Sequence, residues 1–118
     1  MTGGFLTTHV LDTALGTPAA GLKIELYDLS GDTPALIATK ITNADGRTDG
    51  PILPTEDFKT GEYELVFHAG DYLRGQGGDL PEPLFLDLIP IRFGMAQDDH
   101  YHVPLLLSPF GFSTYRGS

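Results

Sequence analysis

Two histidines two residues apart, His100 and His102, are the first features of this sequence that could do chemistry. Side chains at i and i+2 of an extended strand share a face. Both imidazoles therefore project opposite the apolar set Tyr101, Val103, Leu105 and Leu107. Imidazole titrates near neutrality, so one reading is a proton-handling site. A second is a zinc site, with His9 or Asp99 as third ligand. The third is a pair of solvated surface rings. His9 lies between Thr8 and Val10 and shares a face with Thr7 and Leu11, the setting of an ordinary hydrogen-bonded histidine as readily as of a catalyst. His68, beside Ala69-Gly70, suggests no role. Arg47 directly follows the turn-forming run Asn43-Ala44-Asp45-Gly46. Its guanidinium offers a planar fork of donors for carbonyls or oxyanions, although solvation is the usual fate of such an arginine.

Other chemistries find less support. The chain has no cysteine, which excludes disulfides, thiol nucleophiles, iron–sulfur clusters and cysteine-based zinc sites. Ser108 precedes Pro109 without a Gly-x-Ser-x-Gly elbow, and Ser30 and Ser113 have no motif around them. No glycine loop opens a helix to cradle phosphate. The last residues, Tyr115-Arg116-Gly117-Ser118, would ordinarily fray, yet Tyr and Arg beside Gly make an odd tail if nothing holds it.

Positioning these groups falls to short strands. Glycine and proline total 24 of the 118 residues and cut the sequence into pieces joined by turns. Period-2 alternation runs through 22–27, 62–67, 89–93 and 101–107. It predicts strands near 5–11, 21–29, 35–42, 61–69, 88–95 and 100–107, with short ones near 50–53 and 111–115. Pro90 suggests a strand start or an edge. Turns are expected at 16–18, 30–32, 43–46 and 59–61. A short helix is expected after Gly70, capped by Asp71 and ended by Gly75, and then a loop over 76–87. The whole reads as one domain, residues 1–118, an all-β antiparallel sandwich of two sheets.

Sixteen carboxylates against seven Lys and Arg give a net charge of −9, which repels nucleic acid and anionic membranes. The start lacks a signal-peptide pattern and no apolar run is long enough to span a bilayer, so a soluble cytoplasmic protein is expected.

Three segments add a resemblance. The run from His9 to Leu22 resembles the first signature of the transthyretin family, and the run from Tyr101 to Ser113 resembles its second. The tail Tyr115-Arg116-Gly117-Ser118 looks like that of the family's enzymatic, 5-hydroxyisourate-hydrolysing branch and not its hormone-carrying one. Likeness continues through Asp45-Gly46-Arg47 and Pro90-Ile91-Arg92-Phe93. The resemblance implies a transthyretin-like sandwich of two four-stranded sheets with one short helix, assembled as a homotetramer with sites in the groove between dimers. It implies hydrolysis of 5-hydroxyisourate to 2-oxo-4-hydroxy-4-carboxy-5-ureidoimidazoline without metal or cofactor. It also implies catalytic roles for His9, Arg47, His102 and Ser118, and substrate binding by His9, Arg47, Tyr115 and Arg116. Rival expectations are a tetrameric carrier of a small aromatic ligand, a metal hydrolase using His9, His100 and His102, and a structural adhesion module.

Overall fold

The computed structural model describes residues 3–117. Eight strands, β1 (Phe5–Asp12), β2 (Thr17–Pro18), β3 (Lys23–Asp28), β4 (Ala35–Ile41), β5 (Gly61–His68), β6 (Leu88–Met95), β7 (His100–Ser108) and β8 (Gly111–Thr114), form two sheets. Their orders are β2-β1-β7-β8 and β4-β3-β5-β6, and one helix, α1 (Ala69–Gly75), follows β5. Two four-stranded sheets with one short helix are the arrangement that the resemblance implies. Alternation builds it: β1 buries Leu6, Thr8, Val10 and Asp12, and β7 buries Tyr101, Val103, Leu105 and Leu107. Against them β3 and β5 bring Ile24, Leu26, Tyr63, Leu65 and Phe67. Fully burying a side chain such as Leu105 or Phe67 contributes about 1.5–3 kcal/mol.

One pairing departs from the antiparallel rule. β1 and β7 run parallel over eight residues, from Phe5 opposite His100 to Asp12 opposite Leu107. No hairpin joins them, since the whole second sheet intervenes in sequence, and so antiparallel pairing is not required.

Several local expectations are corrected. The stretch 50–53 forms no strand; it makes only a bridge between Leu6 and Leu53, because Pro51 and Pro54 remove the donors a longer ladder needs. The turn expected at 16–18 lies instead at 13–16, and Thr17–Pro18 pair with Leu11 and Asp12. Asp12 causes this: its Oδ1 accepts from the backbone N–H of Ala14 and Leu15, both at 3.1 Å. Asp71 lies in the first turn of α1 and does not cap it; His68 holds the cap position without a side-chain bond, because the helix grows directly out of β5. Pro90 does lie on an edge strand, β6.

The helix is fastened to the first sheet by a buried polar pair. Tyr72 donates from its hydroxyl to Asp12 Oδ2 at 2.7 Å, and burial, then the Asp12 carboxylate, raise the phenol above its ordinary pKa. His68 serves the second sheet in the same way, bonding Glu25 Oε1 at 2.8 Å. Among the described residues no helix is long and apolar enough to cross a membrane.

Candidate active site

Strand parity and register place three imidazoles and one hydroxyl in a row. Phe5, Thr7 and His9 leave the core on the outer face of β1, and His100 and His102 do so on β7. With the strands parallel and Thr7 opposite His102, the two outward rows lie side by side. His9 Nδ1 is 2.7 Å from His102 Nε2, and the rings stack at 4.9 Å between centroids. His102 Nδ1 is 2.7 Å from Thr7 Oγ1, which is also 2.7 Å from His100 Nε2. Phe5 stacks on His100 at 4.1 Å.

Arg47 reaches this row through its turn. Asn43 Oδ1 accepts from the backbone N–H of Asp45 at 2.9 Å and of Arg47 at 3.2 Å, closing the loop. Gly46 sits at φ +73° and accepts from Val10 N at 2.8 Å, so close that a Cβ there would collide with the Val10 carbonyl oxygen. The loop is thereby docked on β1, and Arg47 bridges His9 through the backbone.

The electrostatics follow from this placement. Burial, and then the Arg47 charge, lower the His9 imidazole below its ordinary value. Burial, followed by His9, Arg47 and His100, pushes His102 down to about 4. Both rings are neutral at pH 7, and each then has one nitrogen that accepts and one that donates. Neutral imidazoles can take a proton from water, and the exposed Arg47 side chain beside them carries a charge that can stabilise a developing oxyanion.

The tail meets the site through its backbone. Gly117 N donates to the His102 carbonyl at 2.7 Å, and a Cβ on Gly117 would come within 2.8 Å of the His102 ring. Arg116 lies over the Tyr101 ring, 4.1 Å from its centroid, and pairs with Asp99 Oδ2 at 3.4 Å. Tyr115 is 56% exposed. The structure thus gathers His9, His102 and Arg47, holds Arg116 at the far end of the row, and leaves Tyr115 at the surface. Ser118 lies outside the described residues. The sequence gives Thr7 only a shared face with His9; a lone threonine carries no chemical signature until its partner strand is known.

As for metal, no three His, Asp or Glu side chains gather in a binding arrangement among the described residues. Both His102 nitrogens are already engaged, by His9 and by Thr7. A broad concavity of about 660 Å³ lies between β4 and residues 51–59 and is lined by none of these histidines.

Residues 6–117 match the model of a family described as the HIUase/Transthyretin family. The chain is 67% identical over 116 residues to a 5-hydroxyisourate hydrolase 2 of Rhizobium meliloti, covering 98% of this chain and 97% of that one. Among solved structures it superposes on an (S)-allantoin synthase with TM-score 0.92 and 48% identity, covering 99% of this chain but only 44% of that longer one. It superposes on the 5-hydroxyisourate hydrolase of Klebsiella pneumoniae with TM-score 0.80 and 31% identity, covering 100% and 97% of the two chains.

Proposed function

The chain belongs to the HIUase/Transthyretin family, and from that premise we propose that it is a hydrolase of 5-hydroxyisourate, acting in urate catabolism as a single domain. The observation that carries the mechanism is the neutral His9–His102 pair, 2.7 Å apart, with Arg47 docked beside it. One imidazole draws a proton from the attacking water. Arg47 stabilises the oxyanion as the ring amide becomes tetrahedral, and the proton returns to the departing ring nitrogen. The product of this opening is 2-oxo-4-hydroxy-4-carboxy-5-ureidoimidazoline. No metal or cofactor is required, because the substrate's ring amide is already activated. Tyr115 and Arg116 contribute to substrate binding, and Ser118 completes the site.

The same reading places four copies together, with sites in the groove between dimers and a cytoplasmic location. The sandwich supports this: its shortest dimension is 20 Å, and the histidine row stands half-buried on an outer face. A second surface packed across the row would exclude water and strengthen every polar contact. The test is direct. Purified protein mixed with freshly generated 5-hydroxyisourate should accelerate loss of its ultraviolet absorbance far above the buffer rate. Binding without acceleration would overturn the reading in favour of a carrier.

A further inference from the structure

The row of groups does not end at His102. Thr7 Oγ1 stands between His102 Nδ1 and His100 Nε2, 2.7 Å from each, and has one hydrogen to give. If Thr7 donates to His100, it must accept from His102 Nδ1–H. His102 Nε2 then accepts from His9 Nδ1–H, and His9 presents a bare Nε2. If Thr7 donates to His102, every bond reverses, and His9 presents Nε2–H. Thr7 can also accept from both rings, which again leaves His9 Nε2 bare; with neutral rings, the outer nitrogen of His9 is therefore an acid only when the threonine hydrogen goes to His102, and otherwise a base. His9 Nε2 has no hydrogen-bond partner among the described residues. At the other end His100 borders a separate opening of about 470 Å³ shared with Asp99, Arg116 and Gly117.

Resting on the hydrolase reading above, we propose that Thr7 is a positioning residue that couples the tautomers of His9, His102 and His100, making His100 the far terminus of a proton relay. The step balances. As the water oxygen bonds to the amide carbon, its O–H breaks and the proton goes to His9 Nε2. His9 passes its Nδ1 hydrogen to His102 Nε2, His102 passes its Nδ1 hydrogen to Thr7, and Thr7 passes its own to His100 Nε2. His100 holds the surplus as an imidazolium. When the C–N bond breaks, the shifts reverse and His9 Nε2 delivers the proton to the leaving nitrogen. The charged and titratable groups facing the relay fit this direction. Arg47, docked on β1, opposes positive charge on His9 and His102, while Asp99, which Arg116 partly neutralises, neighbours His100.

The experiment compares Thr7→Val, which keeps the shape and removes the hydroxyl, with Thr7→Ser, which keeps the hydroxyl. Thr7→Val should lower kcat by roughly 10- to 100-fold with KM within about twofold, and Thr7→Ser should recover most of the rate. His100→Phe should lose a similar factor, and the double variant Thr7→Val/His100→Phe should lose no more than the worse single one. Nitrogen-15 spectra of the imidazoles should show His102 and His9 in one concerted tautomeric order in the wild type and uncoupled in Thr7→Val. Equal loss in the Ser and Val variants, additive losses, or unchanged tautomers would each overturn the relay. Because the spectra need no substrate, they judge the relay even if the wild type fails to hydrolyse 5-hydroxyisourate, a failure that would sink the activity reading separately.

Discussion

At the scale of single residues, the proposed mechanism turns on two imidazoles, His9 and His102, that are poor cations. His102 is held down to about 4 and His9 below its ordinary value, in both cases chiefly by burial and then by neighbouring charge. His102→Asn keeps size and polarity but cannot titrate, so hydrolysis should slow by roughly 10²-fold or more in an absorbance assay. Arg47→Ala should cost about 10²-fold in kcat by removing an oxyanion donor. It should also move the acid limb of the pH–rate profile to higher pH, because the guanidinium lowers both histidines and its loss lets them protonate earlier. An acid limb that stays put would show that Arg47 does not act on the pair. Part of this was legible in the sequence. The i, i+2 spacing of His100 and His102 gives their shared outward face from parity alone. The partnership of His9 with His102, and Thr7 with both histidines of β7, depends on a register between strands 93 to 95 residues apart, and no local pattern encodes that.

At the scale of elements, the strands were readable because one face of each is buried, and alternation then fixes both their extent and their orientation. The six long strands fall within two residues of their expected bounds. What escaped were features decided by single competing bonds: the Asp12 side chain that moves the first turn, and the prolines that suppress a strand at 50–53. The Asp12–Tyr72 bond ties α1 to β1, and Tyr72→Phe should cost about 1–3 kcal/mol in denaturant unfolding by leaving a buried carboxylate oxygen without its donor. The sign with pH follows from the raised phenol pKa. This bond's stabilisation is complete below the unfolded tyrosine's value of about 10 and is lost as pH rises above it. Wild-type stability should therefore fall more steeply in alkali than that of Tyr72→Phe. The tail makes a second test at this scale. Gly117→Ala puts a carbon 2.8 Å from the His102 ring, so it should reduce kcat while leaving the melting temperature within a few degrees. A large fall in melting temperature with normal kcat would make the tail a stabilising element instead.

For the whole molecule, thickness is the governing quantity. A two-layer sandwich 20 Å across carries its histidine row on an outer face, away from its broadest concavity. On the proposed function depth comes from assembly, and light scattering should then give four times the 12.7 kDa of the chain. Dilution to the point of dissociation should abolish turnover before it unfolds the subunit; full specific activity in an isolated subunit would contradict a groove site. The parallel ladder between β1 and β7 adds a constraint in time. The threonine and the first histidine are translated early, whereas their imidazole partners arrive some ninety residues later, after the entire opposing sheet. A nascent chain that has not yet produced β7 therefore holds Thr7 and His9 without their partners, and the cluster closes only through a slow, non-local pairing.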